Sequence, residues 1–112
     1  MVRGEIYLAN LNPASGSEQG GVRPVLIVSR DALNANAPIL IGVPITGREH
    51  KRRLYPTQVE LKAGEGGLMK DSVVLCEQIR AIAKNRVTKR IGILPQGKMQ
   101  TVEIALRIAL DL

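Results

Sequence analysis

Aromatic side chains are almost missing from this chain of 112 residues: it has no Trp, no Phe, and only Tyr7 and Tyr55. A core must therefore be assembled from Ile, Leu, Val, Ala and Met. Base recognition by stacking on several exposed rings is excluded, which leaves charge, hydrogen bonds and Arg stacking for any nucleic-acid binding. Cysteine is as scarce. The single Cys76 permits no internal disulfide and, inside the apolar run Val73-Val74-Leu75-Cys76, reads as a small buried hydrophobe. With one His and one Cys there is no spaced pair of ligands for a tightly held zinc, so cofactor-free and metal-independent chemistry is expected. No stretch reaches the ~18 apolar residues of a membrane-spanning helix, and Met1-Val2-Arg3-Gly4-Glu5 has no apolar signal core. The expectation is a cytoplasmic protein without a membrane partner.

What is present suits a folded protein. Hydrophobic residues make up 45% and charged residues 23%, and the length accommodates one core and one domain, residues 1–112. Sixteen Lys and Arg against ten Asp and Glu leave a charge of +6, which favours polyanionic partners. Short apolar runs broken by Gly, Pro and polar clusters predict strands at Glu5–Leu8, Pro24–Val28, Leu40–Ile45, Gln58–Leu61 and a long, bent Ser72–Ile82. Asp31 is a fair N-cap for a short helix ending before Pro38. Gly64-Glu65-Gly66-Gly67 reads as a flexible connection. From Lys98 to Leu110 the period changes, and Met99, Val102, Leu106 and Ala109 mark one amphipathic helix.

Gly92-Ile93-Leu94-Pro95-Gln96-Gly97-Lys98-Met99 has the spacing of a phosphate-binding loop, but Met99 stands where a magnesium-binding hydroxyl is required. It reads instead as a strand-to-helix turn. His50 could be a general base, but among Arg48, Lys51, Arg52 and Arg53 it reads more readily as a solvated loop residue. The basic run itself is open to two readings, a solvated loop or a clamp for backbone phosphates. In Ser17-Glu18-Gln19-Gly20-Gly21-Val22-Arg23-Pro24 a glycine pair delivers Arg23 to the mouth of a strand, and Pro24 fixes the backbone direction there.

Gly16 to Val28 resembles the hallmark of the MazF/PemK family of toxin ribonucleases. Arg3-Gly4-Glu5-Ile6-Tyr7, Leu11-Asn12-Pro13, Pro44-Ile45-Thr46 and Lys70-Asp71-Ser72-Val73-Val74-Leu75-Cys76-Glu77-Gln78-Ile79-Arg80 carry the resemblance along nearly the whole chain. It implies an α+β fold: a small bent antiparallel β-barrel of SH3-like type, with the C-terminal helix attached. It implies a sequence-specific, metal-independent endoribonuclease that cuts single-stranded RNA, with Arg23 and Thr46 as catalytic residues. Substrate contacts are expected from Ser17, Glu18, Gln19, Gly20, Gly21 and Gln78, joined by Arg48, Arg52 and Arg53 of the basic run. The implied partners are a second copy in a homodimer and a cognate acidic antitoxin of MazE/PemI type, with promoter DNA met only through the antitoxin complex. Gly47, Ala81 and Ala83 depart from the usual family pattern. The alternatives are a non-catalytic toxin of the same fold that binds DNA gyrase, and an inactive RNA-binding domain.

Overall fold

A computed structural model describes residues 1–112, and it is dominated by one bent antiparallel sheet. The strands are β1 (Glu5–Asn10), β2 (Val22–Ile27), β3 (Ile39–Gly47), β4 (Gln58–Leu61), β5 (Ser72–Leu75), β6 (Arg80–Ala83) and β7 (Val87–Ile93). Two helices, α1 (Asp31–Asn36) and α2 (Gln96–Leu110), complete it. Neighbouring strands run β4-β5-β3-β2-β1-β7, and β6 joins β3 separately.

β3 organises the sheet. One of its edges pairs with β2 from Gly42 to Pro44. Its other edge pairs first with β6, from Ile39 to Gly42, and then with β5, from Ile45 to Gly47. The expected long strand over Ser72–Ile82 is therefore two strands, separated by a single 3-10 turn at Cys76–Gln78. β5 and β6 claim successive halves of one edge, and the turn carries the chain from the first to the second.

Strand alternation sorts the apolar residues of β2 onto both faces. Leu26 enters a main cluster with Ile6, Val43, Ile45, Leu61 and Val74, which α2 covers with Met99, Val102 and Ala105. Val25 and Ile27 enter a second cluster with Ala9, Leu11, Leu40 and Ile82. Cys76 lies in the main cluster as expected, and burial, aided by the charge of Glu77, pushes its thiol up to about 12.

The sheet is bent but does not close into a full barrel: β4 bonds only to β5 and β7 only to β1. The turn at Glu65–Gly67 packs against β7 on the open side. This corrects the expectation of a flexible connection, because Gly66 is buried and the glycines serve a close approach. A Cβ on Gly67 would stand 2.3 Å from the Ile91 carbonyl oxygen, and one on Gly92 2.3 Å from that of Gly66. The phosphate-loop lookalike is indeed the end of β7 followed by the start of α2. Asp31 opens α1 without capping it, its carboxylate accepting instead from the Arg3 N–H at 2.7 Å. No helix is long and apolar enough to cross a membrane.

Candidate functional site

β2 runs past its last rung with β3, and the site begins there. The register that sets Val25 opposite Pro44 and Ile27 opposite Gly42, carried two residues further, sets Arg23 opposite Thr46. The strands part at this point, because β3 turns its far half to β5 while Val22–Pro24 stays with β1. Pro24, without an N–H, sits beyond the β2–β3 rungs, where proline is tolerated. The gap is a depression of about 460 Å³ lined by Arg23 and Thr46 together with Gln19, His50, Lys51 and Lys70, among others.

The two central residues differ in freedom. Thr46 is 7% exposed and fixed in the ladder opposite Val73. Arg23 is half-buried, and its Nε donates to the Gly20 carbonyl at 2.8 Å. That bond leaves both terminal nitrogens of the guanidinium able to donate to another group. Around them, Lys70 holds Glu49 at 2.7 Å, and His50 Nε2 lies 3.3 Å from the same carboxylate oxygen. The hydrogen bond from Lys70, with the nearby positive charges, keeps Glu49 below the usual carboxylate range. The depression is thus a net positive surface.

Gln19 and Lys51 also line a second, larger depression of about 810 Å³. Its walls include Ser17 and Glu18 from the β1–β2 loop, Tyr55 from the segment leading into β4, Gln58 at the start of β4, and Glu77, Gln78 and Arg80 after β5. Gln78, lifted off the sheet by the turn, bridges to the loop: its Oε1 accepts from the Gln19 N–H at 2.8 Å and its Nε2 donates to the Ser17 carbonyl at 3.3 Å. Glu18 folds back onto its own loop, accepting from the Ser15 N–H at 2.8 Å. The two depressions form one groove, and their lining is largely polar.

The structure brings Arg23, Thr46, Ser17, Glu18, Gln19 and Gln78 into this groove. Gly20 and Gly21 shape the backbone behind Arg23 and do not line it. Arg48 pairs with Glu60 at 3.3 Å and donates to the Lys51 carbonyl, so it braces the basic loop. Arg52 and Arg53 lie outside both depressions, and the Arg53 guanidinium sits 5.5 Å from the centre of the Tyr55 ring. Gly47 lines the smaller depression, whereas Ala81 and Ala83 line neither. Sequence reasoning passed over Lys51, Lys70 and Arg80, and read His50 as solvated; it is exposed yet borders the depression of Arg23. The single signal for Lys51 was its membership of a basic run. No three His, Cys, Asp or Glu side chains converge as a metal-binding group.

The bent sheet covered by one C-terminal helix is the fold of a known toxin class. Residues 2–110 match the PemK-like, MazF-like toxins of type II toxin–antitoxin systems, and the chain belongs to that family. Over all of its length, and 92% of the relative's, it is 46% identical to the endoribonuclease MazF of Staphylococcus saprophyticus. Among solved structures, MazF from Deinococcus radiodurans superposes with a TM-score of 0.84 at 27% identity, covering 100% of this chain and 97% of the other. A mycobacterial endoribonuclease in complex with its cognate antitoxin gives 0.82 at 27%, covering 100% and 96%.

Proposed function

We propose that this toxin is a metal-independent endoribonuclease that cleaves single-stranded RNA at the groove between the ends of β2 and β3. The observation that carries the reading is that Arg23 and Thr46 line one positive depression. The similarity to MazF endoribonucleases adds to it.

The chemistry needs little from the protein beyond geometry and charge. The ribose 2′-oxygen attacks the adjacent phosphorus, the bond from phosphorus to the 5′-oxygen breaks, and the 2′-hydroxyl proton is lost while the leaving oxygen gains one. The products are a 2′,3′-cyclic phosphate and a free 5′-hydroxyl. Arg23 stabilises the charge that accumulates on the phosphoryl oxygens through its two free terminal nitrogens. A guanidinium, which keeps its proton in proteins, is a donor and not a base. Thr46 adds a hydroxyl hydrogen bond from the rigid strand. The larger, polar depression takes neighbouring nucleotides, where the Gln19 amide offers a donor and an acceptor to base edges.

Incubation of the purified protein with single-stranded RNA in excess chelator, with the ends read by mass spectrometry, tests this reading. Cleavage to cyclic phosphate and 5′-hydroxyl ends is expected. Intact RNA, or cutting that needs added metal, counts against it. We further propose a homodimer, supported by the exposed Ile104 and Ile108, one turn apart on the outer side of α2. An acidic antitoxin competing for the same positive groove is the proposed regulator, as solved relatives bind antitoxins. Sedimentation as a monomer at micromolar concentration would remove the first, and RNA bound together with antitoxin the second.

A further inference from the structure

Asn12 and Arg86 line neither depression of the groove, yet both are connected to Arg23. Arg86, from the turn leading into β7, donates through its guanidinium to the carbonyls of Asn10, at 3.2 Å, and of Asn12. The exposed Asn12 side chain turns back across the loop, its Oδ1 accepting from the Gly21 N–H at 2.8 Å. The neighbouring Leu11 N–H donates to the Gly21 carbonyl at 2.9 Å. The two ends of the β1–β2 loop are thereby tied together.

Gly20 lies inside this clasp. A Cβ there would stand 2.8 Å from Ala14 Cβ and 3.0 Å from Asn12 Oδ1, so the loop can close only on a glycine. Gly21 has φ +75°, which a side chain would strain. The carbonyl so placed accepts from Arg23 Nε. Three links therefore run in series: Arg86 holds Asn12, Asn12 holds the Gly20–Gly21 backbone, and that backbone orients the guanidinium. Without the last link, a long side chain on an overhanging strand keeps most of its rotamer freedom and points nowhere in particular.

We infer that Asn12, braced by Arg86, is a positioning residue for RNA cleavage, acting through the Gly20 carbonyl to orient Arg23. The inference rests on the proposed role of Arg23. An exposed asparagine in a loop is ordinarily a solvated turn residue, dispensable for turnover. Here its one side-chain acceptor is spent on the backbone that aims the reactive cation, and its own carbonyl is held by a second arginine.

The test is cleavage of a fluorogenic single-stranded RNA, with kcat and KM measured separately. Asn12→Ala should lower kcat about tenfold to a hundredfold, the range expected for misplacing a catalytic group by around 1 Å. KM and the thermal midpoint should stay near wild type, because the residue is exposed and meets no substrate. Asn12→Asp keeps an oxygen to accept from the Gly21 N–H and should keep most of the turnover. In an Arg23→Ala background, Asn12→Ala should remove nothing more, because it acts only through Arg23. Normal kcat in Asn12→Ala overturns the inference, as does an undiminished further loss on top of Arg23→Ala, or equal damage from Asn12→Asp. Should Asn12→Ala fail to fold, Arg86→Ala decides: a kcat loss that vanishes in the Arg23→Ala background supports the clasp, and any other pattern rejects it. Wild-type turnover in Arg23→Ala would bring down the cleavage reading itself, a separate result.

Discussion

Beneath the groove, β2 and β3 contribute Val25, Leu26, Ile27, Val43 and Ile45, none of them more than 1% exposed. Above it, Ser17, Glu18 and Gln78 are held by a few hydrogen bonds to loop backbone. The floor is held by many non-directional contacts, so a small error in one is shared among neighbours. The rim is held by a few directional ones, each worth about 1 kcal/mol net, and an error in any of them moves a reacting group. Substitutions in the two regions should therefore separate stability from turnover.

The largest effect is expected from opening the floor. Leu26→Ala should cost about 2–5 kcal/mol of stability in a denaturant titration, while protein that remains folded cleaves at close to the normal rate. A loss of activity in fully folded Leu26→Ala would mean that floor and rim are not separable. Next, Arg23→Ala should lower turnover about a hundred- to a thousandfold with an unchanged unfolding midpoint, the loss expected for removing a donor that stabilises transition-state charge. Thr46→Ala should lose less, about tenfold, since a neutral hydrogen bond is weaker than a charged one. Greater damage from Thr46→Ala with the fold intact reverses that ranking.

Smaller still is a pH effect on the floor. Glu5 is 8% exposed; burial alone would push its carboxyl up, but hydrogen bonds from Arg90 and the Val2 N–H, with the positive charges of Arg90 and the N-terminus, bring it below its ordinary 4.5. The unfolded chain thus takes this proton first as acid is added. The stabilisation from Glu5 is present above about pH 4.5 and is lost as the pH falls through the lower folded value. Glu5→Gln should remove that part of the acid sensitivity, seen as a flatter fall of the thermal midpoint below about pH 4.5. The smallest expected effect concerns salt. Each phosphate contact to a single strand contributes about 0.7 to the slope of log affinity against log salt. Lys51→Ala should reduce that slope, and Arg52→Ala, outside the groove, should reduce it less.

The floor was more legible in the sequence than the rim. The apolar runs around Leu26 and at Val43, Ile45, Val73 and Val74 announce strands, and Met99 and Val102 announce the helix face. β7 was missed because Thr88, Lys89 and Arg90 are exposed on an edge strand paired on one side only, which leaves no alternation to read. A bend in Ser72–Ile82 was expected, but the complete break at Cys76–Gln78 was hidden because apolar strand-forming residues flank it on both sides. Where it divides depends on β3 offering one edge to two strands, a tertiary fact. Arg23 was marked by its glycines and Pro24, whereas Lys70 is distant from Thr46 in sequence and reaches its depression only through the pairing of β5 with the end of β3.

The clasp at Asn12 and Gly21 has a bearing on how this protein can change over time. It pins the loop at its two ends and leaves Ala14 to Ser17 exposed, with Glu18 tied only to its near neighbour Ser15. On the proposed RNA-cleaving role, exchanges from Ser15 to Ser17 would alter the surface beside the depression of Arg23 while leaving the clasp and the buried core as they are. Any preference among RNA targets could then drift in single steps at constant folded population, the circumstance under which a lineage of toxins diversifies without passing through unstable intermediates.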